Sequence, residues 1–199
     1  MYYLQLLING LALGSVYSMI ALGFTLIYSV LKFSNFSHGG IMVISAYVAY
    51  EIQLRLGHNF TWMMILIFIF GALLSCFVQY IGFERLRRQK SNIMLYFVSS
   101  ATLGIMMQNI IAIKYSSFFY AYPAFFKTSF ISIGQFTISV TDLMMLGISI
   151  VVIIALMLLL YKTRIGIAIR ALSMDTQTVQ LMGVNVSLVI AITFMISGS

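Results

Sequence analysis

Charge is nearly missing from this chain. Asp, Glu, Lys and Arg make up 8% of its 199 residues, where a soluble domain carries roughly a quarter. Too few ionised groups remain to cover a water-facing surface, so a soluble globular fold is excluded. Acidic groups are scarcest, 4 against 11 basic ones, and proline and cysteine occur once each, as Pro123 and Cys76. A lone cysteine inside an apolar run makes no disulfide framework and leaves the redox compartment open. His38 has no second His, Cys or carboxylate at ligand spacing, so no metal site is expected. The Gly-x-x-x-x-Gly-Lys-Ser/Thr loop that cradles nucleotide phosphates is absent, and no Ser-His-Asp or Cys-His arrangement is evident. Neither catalysis nor a cofactor is expected.

What is there is apolar. Hydrophobic residues make up 62% of the chain and the mean hydropathy is +1.06. Uncharged runs cover 1–31, 33–50, 56 up to Glu84, 91–113, 143–161 and 176–199. About 20 apolar residues in a helix cross a bilayer, because a helix satisfies its own backbone hydrogen bonds in lipid. Crossings are expected at about 4–30, 40–56, 61–83, 92–113 and 141–161, with a sixth starting near 188. Alternating the sides puts Lys32, Arg85, Arg87, Arg88, Lys90, Lys162, Arg164 and Arg170 in one group, and Arg55, Lys114 and Lys127 in the other. The richer group belongs in the cytoplasm, with the N-terminus outside. The basic excess is thus read as topology and contact with anionic headgroups, not as nucleic-acid binding. The N-terminus, Met1-Tyr2-Tyr3-Leu4-Gln5, has no basic stretch or small-residue cleavage site and reads as a retained first helix.

The segment 114–140 differs from the rest. Aromatics and Pro123 suit an interfacial belt and turn, and Ile131, Ile133, Phe136, Ile138 and Val140 alternate with polar residues. That is strand periodicity about a Gly134-Gln135 turn, so a short extracytoplasmic hairpin is expected, followed by a helix capped by Thr141 or Asp142. From Leu188 to Ser199 too few residues remain to span about 30 Å of hydrocarbon, so the chain reads as incomplete at its C-terminus.

The most informative stretch runs from Thr163 to Gly183, a polar insert in an otherwise apolar protein. Ile165, Ile169, Leu172, Thr176 and Val179 fall at helical spacing, with Arg164, Arg170, Asp175, Gln177 and Gln180 off that stripe. Two short helices joined near Met174 are expected, with Gly183 ending the second as a left-handed residue. The pattern fits a docking surface and an interfacial helix equally. Elsewhere, Asn35, Ser37, His38 and Gly39 sit where one helix gives way to the next, either opening backbone groups toward a substrate or simply breaking the helix. Gln108 and Asn109 lie inside an apolar crossing, suited to helix packing before pathway lining. Gly10, Gly14 and Ser18, and Gly71 with Ser75, carry the four-residue spacing of close helix contacts. Glu51 with Arg55, and Glu84 with Arg88, are placed to pair along helices.

Thr163-Arg164-Ile165-Gly166-Ile167-Ala168-Ile169-Arg170-Ala171, then Asp175, then Leu181-Met182-Gly183-Val184-Asn185, resembles the cytoplasmic loop of branched-chain amino acid permeases of bacterial ATP-binding-cassette importers. Asn9 to Tyr17, Ala21 to Tyr28, Asn35-Phe36-Ser37-His38-Gly39, Thr102-Leu103-Gly104 and Gln108-Asn109 are similar to further family motifs, with Ser37 where the family has Ala. Phe83-Glu84-Arg85-Leu86-Arg87 departs slightly from the family's Tyr-Arg-Pro-Leu-Arg. The resemblance implies one all-α, polytopic transmembrane helical domain over 1–199, with a coupling-helix loop at 162–187. It further implies ABC ATPase subunits, a second homologous permease chain and an extracytoplasmic substrate-binding protein as partners in the inner membrane. Arg164, Gly166, Arg170, Ala171, Asp175 and Gly183 would meet the ATPase, and Asn35, Ser37, His38, Gly39, Gln108 and Asn109 are the candidates for the substrate path. Leucine, isoleucine and valine are the implied substrates, with urea, short amides or other amino acids as alternatives. Two rival readings stand: an ion-coupled secondary transporter or channel, which needs ionisable groups at mid-membrane, and a truncated permease without function.

Overall fold

The computed structural model describes residues 2–56, 60–89, 91–116, 130–133 and 136–199. Most of them are helical, and the chain divides into two units, residues 1–22 with 123–167 and residues 23–122 with 168–199. Helix α1 (Tyr2–Leu31) and helix α7 (Arg164–Met174) each run through both.

In the first unit, strands β1 (Phe130–Ile133) and β2 (Phe136–Ser139) pair antiparallel, with Ile133 opposite Phe136. The Gly134-Gln135 turn expected between them lies outside the described residues, as does the aromatic and Pro123 stretch. Helix α6 (Val140–Lys162) follows directly on extended Ser139, with no side-chain cap. Thr141 and Asp142 therefore lie inside the helix instead of capping it. Asp142 in the first turn still faces the helix dipole favourably. A Cβ at Gly10 or Gly14 would meet nothing within 4 Å, so the small-residue spacing there forms no seam among the described residues.

The second unit holds α2 (Ser37–Leu56), α3 (Phe60–Gln79), a π-helical turn (Tyr80–Glu84), α4 (Arg85–Arg88), α5 (Ile93–Tyr115), α8 (Thr176–Leu181) and α9 (Val186–Gly198). Small residues decide which helices touch. A Cβ on Gly40 would stand 3.0 Å from the Gly104 carbonyl, and one on Gly104 would stand 2.8 Å from that of Phe36. The backbones of α2 and α5 approach through that pair. Gly71 and buried Ser75 do the same for α3 against Gly198 of α9. The core is aromatic: Phe83 lies 5.5 Å from both Phe33 and Phe194 and stacks on Tyr96 at 6.5 Å. Ring pairs at such distances add to the apolar burial of Phe83 and Phe194.

The π-helical turn has no precedent in the hydropathy pattern. Ser99 of α5 donates its hydroxyl to the Gly82 carbonyl at 2.9 Å, and a Cβ on Gly82 would run into the Leu103 side chain. A neighbouring helix that supplies a donor to a freed carbonyl lets the ladder widen by one residue.

Among the described residues, four helices are long and apolar enough to cross a membrane: Gln5–Leu31, Phe60–Arg88, Ile93–Tyr115 and Val140–Lys162. Helix α2, expected as a crossing at 40–56, has 20 residues but is not among them, because Ser37, His38, Glu51, Gln53 and Arg55 dilute its apolar content.

Candidate functional site

The insert begins at a tight corner in the first unit. Thr163 ends α6 in extended conformation, donates its hydroxyl to the Leu159 carbonyl at 2.6 Å, and accepts the Gly166 N–H at 3.0 Å. Gly166 is buried against the α6 carbonyls of Leu159 and Leu160, with the Leu160 carbonyl carbon 2.6 Å from where a Cβ would stand. Arg164 is exposed on this corner.

In the second unit, the rest of α7 buries Ile169 and Leu172 and exposes Arg170. Ala171 is half-buried. Asp175 stands between α7 and α8 as the cap, accepting the Gln177 N–H at 2.9 Å and the Thr178 hydroxyl. Gly183 ends the stretch at φ 81°, a left-handed turn that glycine adopts without a Cβ penalty. The apolar stripe differs in detail from the sequence expectation: Ile169, Leu172 and Val179 are buried, whereas Ile165 and Thr176 are exposed. Met174, Leu181 and Met182 stand out of the surface at 88%, 90% and 77% exposure.

The hydrogen bond from Thr178, followed by that from the Gln177 amide, holds the Asp175 carboxyl below its ordinary value. Because the folded value is depressed, this contribution is complete above the unfolded value of about 4 and is lost as pH falls through the folded one. Protection of the Gln177 amide from hydrogen exchange, corrected for the intrinsic rate, is expected to hold from neutral pH to about pH 5. It then falls in stronger acid. Asp175→Asn keeps a capping oxygen and should remove that pH dependence; a persisting acid transition in the variant would refute the assignment.

At the α1–α2 junction Lys32 takes a left-handed conformation, φ 59°, and its N–H closes on the Tyr28 carbonyl at 2.9 Å. The Asn35 carboxamide oxygen accepts both the Ser37 N–H at 3.1 Å and the Ser37 hydroxyl at 2.6 Å, starting α2. Asn35, Ser37 and His38 are all buried, and Gly39 is exposed. Asn35 Nδ2 and His38 Nδ1 have no hydrogen-bond partner among the described residues. The His38 ring packs edge-on to Phe24 at 6.4 Å. Beside it, the Ser197 hydroxyl of α9 donates to the Gly23 carbonyl at 2.7 Å. Gln108 and Asn109 are not part of this cluster. On α5 the buried face is Ser100, Gly104, Met107, Ile111 and Tyr115, and both amides stand exposed off it among the described residues.

Two carboxylates organise the ends of the helices. Glu51 accepts the Tyr115 hydroxyl at 2.7 Å, with Arg55 and Lys114 each at 3.9 Å. The Arg55 partner was legible from its spacing; Tyr115, 64 residues away, was not. Glu84, buried, accepts Arg87 at 2.8 Å and Arg88 at 3.0 Å. Gln79 and Ser187 approach the same carboxylate at 3.4 Å, and Arg87 also reaches the Ser187 hydroxyl. Arg87, Gln79 and Ser187 were missed from the sequence. Only the i, i+3 position of Arg87 could have signalled it.

The profile of the family described as branched-chain amino acid transport system, permease component, matches residues 6–199. Among curated proteins, the high-affinity branched-chain amino acid transport system permease protein LivH of Salmonella typhimurium is 29% identical over 211 residues, covering 100% of this chain and 68% of its own length. LivH of Escherichia coli K12 is 28% identical with the same coverage. BraD of Pseudomonas aeruginosa, named as a permease protein of the same kind of system, is also 28% identical over 100% of this chain. No solved structure matches it.

Proposed function

The chain belongs to the family of permease components of branched-chain amino acid transport systems, and on that premise we propose that it is the membrane-spanning subunit of an ATP-driven importer for leucine, isoleucine and valine. It is a multi-pass protein of the inner membrane, with four helices able to cross it. It carries the substrate and leaves ATP hydrolysis to separate subunits. A second permease chain and an extracytoplasmic substrate-binding protein complete the assembly.

Residues 162–187 form the loop that seats on the ATPase. What supports this reading is the insert itself: short helices follow a membrane helix and expose Met174, Leu181 and Met182 beside Arg170 and Asp175. Large apolar side chains left in water next to charged ones suit a partner surface. Arg164, Gly166 and Ala171 hold the start of that loop, and Gly183 turns the chain back into α9. ATP-driven closure of the partner shifts the permease between inward- and outward-open states only if it binds one of them better.

Asn35, Ser37, His38 and Gly39 lie on the substrate path, the two unpartnered buried atoms of Asn35 and His38 being available to a polar group passing that point. Gln108 and Asn109, amides exposed on an apolar helix, meet a helix of the second permease chain, since lipid would leave them unsatisfied. The strands at 130–139 lie on the extracytoplasmic side. Glu51 does not serve ion coupling, because Tyr115, Arg55 and Lys114 already engage its carboxylate.

The test is Arg170→Glu, read by co-purification with the ATPase and by leucine uptake. Both are expected to fall at least about tenfold, the loss of one charge-assisted contact and its replacement by repulsion, while membrane insertion is unchanged. Parental co-purification and uptake would overturn the coupling assignment.

A further inference from the structure

The second unit contains a groove to which the transport reading assigns no ligand, formed between Arg87 and Arg88 and the 176–187 part of the coupling loop. It has a volume of about 440 Å³; Arg87, Arg88, Thr176, Gln180, Asn185 and Ser187 bring hydrogen-bond donors to it, and Val184 and Val186 give it an apolar side. No carboxylate is among its lining residues. Glu84 lies beneath and takes one Nη of Arg87 and the Nε of Arg88. That leaves one net positive charge on the pair, the two Nη of Arg88, and an Arg87 Nε that is buried without a partner among the described residues. Asp175, though next to Thr176, is turned to the Gln177 N–H and the Thr178 hydroxyl. An electropositive cavity of this size with both donors and an apolar side takes an anionic, ligand-sized group that also carries apolar surface.

Its depth selects the source of that group. The groove lies where the apolar helix Phe60–Arg88 ends and the shorter apolar helix Val186–Gly198 begins, and the change there from apolar to charged and polar residues suits the headgroup level. Leu188, the residue after Ser187, is 55% exposed and offers an apolar surface beside the donors. A phosphate with acyl chains attached satisfies both features, and a soluble anion satisfies one. We propose that this groove binds the phosphate of an anionic phospholipid headgroup, clamped between Arg88, Arg87 and the start of α9. Guanidinium groups suit that ligand because their fork matches two phosphate oxygens. The proposal rests on the membrane placement of these helices and not on the coupling assignment.

The experiment uses the whole chain, purified in detergent and given phosphatidylglycerol or phosphatidylcholine, with retained lipid counted by native mass spectrometry. Phosphatidylglycerol is expected to be retained about tenfold over phosphatidylcholine, a preference set by the charge-assisted contacts. Arg88→Gln should abolish the preference. So should Gln180→Glu, which puts a negative charge into the groove without touching the Glu84–Arg87 pair. Arg170→Glu should leave the preference intact, which separates lipid binding from the Arg170 contact with the ATPase. Equal retention of the two lipids would overturn the proposal, as would complete displacement by millimolar inorganic phosphate, which would mark a site for a free anion. Loss of ATPase co-purification in both groove variants with the lipid preference unchanged would assign the groove to the protein partner and overturn it equally.

Discussion

Gly166→Ala is expected to destabilise the corner between α6 and α7 by about 2–3 kcal/mol, the upper part of the range for overpacking. The added methyl meets the carbonyls of Leu159 and Leu160, and backbone cannot swing aside as a side-chain tip can. The corner must open, and opening it breaks the 3.0 Å bond from the Gly166 N–H to Thr163. Arg164 loses its placement with it. Thermal unfolding in detergent reads the stability, and limited proteolysis after Lys162 and Arg164 reads the opening. Gly166→Val, with a branched side chain in the same space, is expected to prevent accumulation in the membrane. A Gly166→Val protein as stable and as protease-resistant as the parent would show that the close approach does not constrain the corner.

Glu84→Ala should be of similar or larger effect, for an electrostatic reason. The Glu84 side chain is 9% exposed and holds Arg87, itself 25% exposed, together with Arg88, Gln79 and Ser187. Removing one partner of a buried pair costs about 3–5 kcal/mol, and the partial exposure of Arg87 lowers the expectation to about 2–4 kcal/mol. Replacing both partners, as in Glu84→Leu with Arg87→Met, is expected to recover most of the loss, since no charge is then left without a counterpart. Unfolding midpoints of the two single variants and the double one give the test. Additive losses, with no recovery in the double variant, would show that Glu84 acts by packing and not by charge.

Much of this protein could be read from neighbouring residues. Hydropathy located the helices later seen at Tyr2–Leu31, Phe60–Arg88, Ile93–Tyr115 and Val140–Lys162, because the preference for lipid sums over one contiguous stretch. The division of the insert near Met174 and the left-handed Gly183 were legible for a related reason: caps and turns use side chains within three or four residues of the backbone they satisfy. Arg55 beside Glu51 and Arg88 beside Glu84 follow from the pitch of one helix.

Tertiary structure decided what spacing cannot encode. Ser187 reaches Glu84 across 103 residues, and Tyr115 reaches Glu51 across 64. The π-helical turn arises because Ser99 of another helix bonds the Gly82 carbonyl. The two small-residue patterns looked alike in the sequence, yet Gly71 and Ser75 meet α9 while Gly10 and Gly14 meet nothing among the described residues. Gln108 and Asn109 suggested an internal contact and turned out exposed, since a helix has several faces of similar polarity and only its neighbours choose which is covered. Sequence by itself thus determined where the chain is helical, apolar or capped, because those free energies are local. Which helices pair, and which polar groups share one carboxylate, depended on the packed arrangement, because those free energies exist only once distant segments are brought together.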